Sequence, residues 1–113
     1  MKLEELKDRE GLRTMMFDCP GCGFLHRVHV AGSGAPIWSW NGCMERPTFT
    51  PSVSVTGVEQ MTPEEYEAYE RGEGLPEPRP LVCHSFVTDG RIRFLDDCTH
   101  KLAGQTVDLP DID

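Results

Sequence analysis

The sequence predicts a mainly β fold, a β-rich α+β arrangement in which a small antiparallel sheet is stapled by one zinc ion and accompanied by one or two short helices. Three features carry this expectation. A CPGCG knuckle at residues 19–23 lies between stretches of strand-like composition. The apolar runs LVCHSFV and IRFLDDC flank Asp89-Gly90, a pair suited to the type I′ turn of a tight hairpin. The chain also holds 11 Gly and 9 Pro among its 113 residues, so turns and loops occupy much of its length.

That length suits one modest core, and residues 1–113 are read as a single domain. With only 38% apolar residues, such a core gains from a staple. The opening MKLEELKDREG contains no apolar run of signal-peptide length, which predicts a cytoplasmic chain whose cysteines serve metal rather than disulfides. No window approaches the roughly 20 apolar residues of a membrane span. Eleven basic against nineteen acidic residues give a net charge of −8, which opposes binding to a phosphate backbone. Only a local cluster of Arg9, Arg13, Arg27, Arg46, Arg91 and Arg93 would offset it. A protein partner is therefore expected ahead of nucleic acid or membrane.

Along the chain, Leu3 and Leu6 stand three apart among Lys and Glu and predict one or two helical turns over 2–10, closed by Gly11 as a C-cap. Residues 12–17 and 24–31 read as strands on either side of the knuckle, the second through the alternation of Phe24, His26, Val28 and Val30. GSGAP is a loop, IWSW at 37–40 a short strand, 41–51 an irregular segment, and SVSVTG a further strand. Over 62–72, Thr62, Pro63 and Glu65 form a capping box that starts a helix and Gly72 stops it. Tyr66 and Tyr69 would anchor this helix, and the span 62–80 reads as a helix-plus-linker insertion between strands. In the hairpin, Thr88 pairs with Arg91, Val87 with Ile92, Ser85 with Phe94 and Cys83 with Asp96. Period-two alternation then puts Cys83, Val87, Ile92, Phe94 and Cys98 on one face and His84 on the other.

Two thiolates two residues apart, with Pro and Gly between them, converge on one tetrahedral ion. Cys19 and Cys22 are thus half of a zinc site. Hairpin parity places Cys83 and Cys98 close enough to complete it, so four sulfurs are the leading ligand set. Cys19, Cys22, Cys98 and His100 form the second, with His26 as an outside candidate, while Cys43 reads as an ordinary loop cysteine. His84 has Ser85, Asp96 and Asp97 nearby in sequence, and His moves protons near neutral pH. Working with His100, it is the catalytic candidate of a zinc- or cysteine-dependent hydrolase, although no HExxH motif is present. Trp38, Trp40, Asn41, Phe49 and the PTFTPS loop compose either a protein-binding face or simply core.

The stretches FDCPGCGFLH, WSWNGCMERPTFTPS and CHSFVTDGRIRFLDDCTHKLAGQTVDLP resemble a small family of zinc-binding phage and prophage proteins that often carry a mistaken ammonia monooxygenase label. The resemblance covers about two thirds of the chain and leaves out 62–80. It implies a phage or prophage origin, and related domains stand beside bacterial ubiquitin-like conjugation genes, where a peptidase role is suspected. It also places Cys19, Cys22, His26, Asn41, Cys83, His84, Asp97, Cys98 and His100 on characteristic positions. An acidic residue commonly follows Asn-Gly in that family, and here Cys43 stands in its place. The sequence thus points first to a zinc-binding accessory protein acting through protein–protein contacts, and second to a peptidase-like hydrolase using His84 and His100.

Overall fold

The computed structural model of the chain describes residues 1–8 and 11–112. Its described residues are β-rich and form three antiparallel sheets. The first contains β1 (Glu4–Lys7), β2 (Arg13–Asp18) and β3 (Leu25–Ala31). The second pairs β4 (Ser39–Trp40) with β5 (Phe49–Thr50), and the third orders β6 (Val53–Val58), β7 (Pro80–Thr88), β8 (Arg91–Phe94) and β9 (Thr106–Asp108) side by side. No described helix is long and apolar enough to cross a membrane.

The amino-terminal segment corrects the helical expectation. Glu4 to Lys7 pair with Met16 to Arg13 as a strand, Leu3 is buried, and Gly11 serves a turn at φ 84° rather than a helix cap. Residues 9 and 10 of that expected helix lie outside the described residues. Local propensity is overridden here because β2 offers a complete ladder, and the Arg13 guanidinium grips the Glu5 carboxylate across it with two contacts of 2.9 Å. β2 and β3 alternate as expected, sending Met15, Phe17, His26 and Val28 inward.

The hairpin forms at Asp89-Gly90 with φ of 51° and 78°, the doubly positive pattern of a type I′ turn. Its register pairs Thr88 with Arg91, Val87 with Ile92 and Ser85 with Phe94 as expected. The ladder then stops. Cys83 does not pair with Asp96, because after the Leu95 amide bonds the His84 carbonyl at 2.9 Å the chain turns away, and the next strand on that side is β9. Cys83, Ser85, Val87, Ile92 and Phe94 are buried on the inner face, where they meet Met15, Phe17 and Phe49 in the core.

Between β6 and β7 the chain makes an excursion that leaves at Val58 and returns at Pro80, opposite it. The excursion carries α1 (Pro63–Glu70), whose capping box at Thr62 and Glu65 forms as predicted. The tyrosines do not anchor it: Tyr66 and Tyr69 are about half exposed, at 51% and 47%. Arg79 takes that role, donating to both oxygens of Glu65 at 2.8 Å and to Glu59 at 3.1 Å. The Arg79 contact, followed by the Thr62 amide, holds the Glu65 carboxyl down at about 2. A depressed folded-state pKa contributes stability above the ordinary value near 4.5 that is lost as the pH falls through about 2. Acid titration followed by NMR should therefore fray α1 at higher pH in Arg79→Gln than in the parent chain; coincident fraying would disprove the clamp.

Candidate active site and metal cluster

The knuckle is built by main-chain bonds that the Gly-rich turn permits. The Cys19 amide bonds the Phe24 carbonyl at 3.1 Å, Gly23 returns to the Cys19 carbonyl at 2.8 Å with φ 80°, and the Cys22 amide donates to the Cys19 sulfur at 3.3 Å. This turn projects both sulfurs from the first sheet towards the inner face of β7. There Cys19 Sγ lies 3.9 Å from Cys83 Sγ, and Cys83 Sγ lies 3.4 Å from His100 Nε2. One ligand atom from each of Cys19, Cys22, Cys83 and His100 lies within 4.8 Å of the others. Four donors about 2.3 Å from a tetrahedral ion stand roughly 3.8 Å apart, so this spacing is compatible with one metal ion.

Charge points the same way. A hydrogen bond from Cys83 draws the Cys19 thiol down to about 4, while burial and the charge on Cys19 push Cys22 up to about 11. Cys83, which donates to Cys19 and is itself buried, is raised further. By themselves the three thiols thus favour a single thiolate, at Cys19, whereas a cation among the sulfurs favours the thiolate at all three.

The expected fourth sulfur is elsewhere. Cys98 receives the His84 amide at 3.2 Å and donates its S–H to the His84 carbonyl, also at 3.2 Å. The early end of the hairpin ladder removes Cys98 from the register that would have set it diagonal to Cys83, and His100 fills the place. The ring of His100 is held edge-on by Phe94, with centroids 4.4 Å apart at 81°. Gly21 lies against the other side: a Cβ there would fall inside the imidazole. His26 stays outside the cluster, 2% exposed between Phe17 and Phe24, with neither ring nitrogen hydrogen-bonded.

His84 points to the opposite face of β7, as its parity required, and meets a partner that sequence reasoning missed. Its Nε2 lies 2.9 Å from the Ser52 hydroxyl, and its Nδ1 lies 3.6 Å from a carboxylate oxygen of Asp97. Ser52 ends the PTFTPS loop just before β6. Because Ser54 pairs with His84 across the β6–β7 ladder, Ser52 reaches the same imidazole diagonally. The loop behind it is pinned at both ends. The Trp38 indole donates to the Ser52 carbonyl at 3.1 Å, while Asp89 and Gly90 at the hairpin tip bond Thr48 Oγ1 and the Pro47 carbonyl at 2.8 and 2.9 Å. Trp40 bonds the Cys43 carbonyl and Phe49 is buried against Phe17, so this aromatic group supports the site from behind. His84 and His100, expected to act together, lie on opposite sides of β7.

A serine whose hydroxyl meets one nitrogen of a histidine, with a carboxylate at the other, is the arrangement of a serine hydrolase. The family model described as "Bacterial ubiquitination-like system serine protease (BubE)" matches residues 2–95. The chain belongs to this family. The BubE match includes Ser52, His84 and the three clustered thiols and stops short of Asp97 and His100. No curated protein and no solved structure matches the chain. Among the described residues, Ser52 is the serine hydrogen-bonded to a histidine ring. Its advance signals were the PTFTPS stretch that ends on it and the strand character of SVSV, but which strand would receive that segment was invisible.

Proposed function

We propose that this chain is a serine peptidase acting on protein substrates in a bacterial ubiquitination-like system, with Ser52 as nucleophile, His84 as general base and acid, and Asp97 as the residue that orients His84. The observation that carries this reading is the 2.9 Å contact between Ser52 Oγ and His84 Nε2, with Asp97 at the remaining ring nitrogen. As Ser52 Oγ attacks a substrate carbonyl carbon, its proton passes to His84 Nε2, and Asp97 stabilises the imidazolium. His84 then gives that proton to the leaving amine, which frees the acyl group on Ser52. Water enters, loses a proton to His84 and releases the acyl group as an acid, returning the proton to Ser52. The 3.6 Å spacing to Asp97 exceeds hydrogen-bond length, and such contacts tighten when substrate excludes water.

Cys19, Cys22, Cys83 and His100 would hold a zinc ion in a closed site of three sulfurs and one nitrogen, a structural ligand set. Their role is positional. Cys83 precedes His84, and Asp97 lies between β8 and His100, so a joined cluster keeps the inner face of β7 and the Asp97 turn in register with the knuckle. Cys98 completes the brace through its two bonds to the His84 backbone. The accessory-protein reading loses its main support because it assigns nothing to the Ser52–His84 pair.

The test is covalent labelling by a fluorophosphonate, located by peptide mass mapping. Adduct formation at Ser52 that disappears in His84→Ala supports the assignment, whereas a folded chain with no adduct at Ser52 refutes it. For the metal, Gly21→Ala is expected to displace the His100 ring and weaken zinc binding on the order of 10–100-fold. Full zinc content at unchanged affinity in that variant would remove His100 from the ligand set.

A further inference from the structure

On the outer face of the third sheet, one row of side chains leads away from the Ser52–His84 pair. Phe86 follows His84 on that face of β7, with ring centroids 6.3 Å apart. Arg93 of β8 pairs directly with Phe86 and holds its guanidinium 5.0 Å from the Phe86 ring centre, and Thr106 of β9 pairs with Arg93. Together with Thr88 and Arg91 these residues line a depression of about 410 Å³, in which Arg91 is paired with Asp108 and Arg93 has no carboxylate partner among the described residues. In a chain of net charge −8, that leaves the Arg93 guanidinium unneutralised in this depression.

We propose that Phe86 and Arg93 form a substrate subsite that selects a carboxylate two to three residues from the scissile bond. The inference rests on the reading of Ser52 and His84 as the reacting pair. Arg13, Arg71, Arg79 and Arg91 are each paired with a Glu or Asp. Arg93 has no carboxylate partner among the described residues and lies on an exposed ring instead. A guanidinium on an aromatic face keeps its in-plane N–H donors directed outward, ready for a carboxylate. The two spacings, 6.3 and 5.0 Å, keep Arg93 within about three residues of extended peptide from His84, at roughly 3.3 Å per residue. Phe86 supplies apolar contact to the intervening residue. The carboxylate could belong to an acidic side chain or to the end of a polypeptide, and both present the same two oxygens.

The proposal is tested by NMR titration of Ser52→Ala with acetylated hexapeptides that carry Glu or Gln at each position in turn, C-terminally amidated, and with the Gln series bearing a free C-terminal carboxylate. The Glu peptides, the free-carboxylate peptides or both are expected to shift the Phe86, Thr88, Arg93 and Thr106 amides. They should bind at least about fivefold more tightly than the neutral peptides, and Arg93→Gln should abolish the difference while Arg93→Lys retains part of it. Preference confined to the amidated Glu series identifies a side chain as the source, and preference confined to the free terminus identifies a chain end. Equal binding of charged and neutral peptides, shifts elsewhere, no binding, or an unaltered preference in Arg93→Gln would overturn the proposal. Fluorophosphonate reaction at Ser52 is read separately in the parent chain: its absence alongside a retained carboxylate preference would leave the subsite and remove the peptidase.

Discussion

Ser52→Ala should abolish fluorophosphonate labelling and lower peptidase turnover on the order of 10⁴-fold or more, while the thermal transition stays within a few degrees of the parent. The size follows from the proposed role: a triad loses most of its rate when its nucleophile is removed, and only binding and carbonyl polarisation remain. The small effect on stability follows from position. Ser52 is half-buried in a loop held by the Trp38 indole and, at Thr48 and Pro47, by the amides of Asp89 and Gly90 at the hairpin tip, none of which needs the Ser52 hydroxyl. His84→Ala should match it in activity and remain folded, since Cys98 bonds only the His84 main chain. Undiminished turnover in purified Ser52→Ala, followed with the same peptide substrate, would transfer the nucleophile's role elsewhere.

Cys19→Ser is expected to be the most damaging change to the fold. It removes a fully buried sulfur to which the Cys22 amide and the Cys83 thiol both donate, and with it a ligand of the proposed zinc site. Structural zinc contributes roughly 10–16 kcal/mol in small peptides, comparable to the entire net stability of about 5–15 kcal/mol of a typical domain. Metal content should fall to background, and the hairpin amides should lose hydrogen-exchange protection. The Ser52 adduct should vanish as well, because the cluster and His84 occupy opposite faces of one strand. Chelation of the parent protein should have the same consequences and be reversed by added zinc. A metal-free protein that retains native exchange protection would disprove the coupling between cluster and fold.

Much of this molecule was legible before any coordinates. The knuckle at Cys19 and Cys22, the Asp89-Gly90 hairpin, the capping box at Thr62 and the outward turn of His84 are all written in short spans. Turn chemistry and period-two alternation act over a few residues and need no knowledge of the rest of the chain. The amino-terminal strand was not legible. Its residues have helical spacing, and only the ladder offered by β2 makes them extended.

The site divides along the same line. The sequence by itself singled out most of the candidate residues, namely the cysteine pair, Cys83 beside His84 with their side chains opposed, and the Asp97 to His100 segment, but not Ser52. Only the tertiary structure decided their partnerships. Where the hairpin ladder stops determines that His100 rather than Cys98 joins the thiols, and the pairing of β6 with β7 across an excursion of about twenty residues brings Ser52 to His84. Long-range register depends on how every strand buries its apolar face at once, and no local pattern contains that sum.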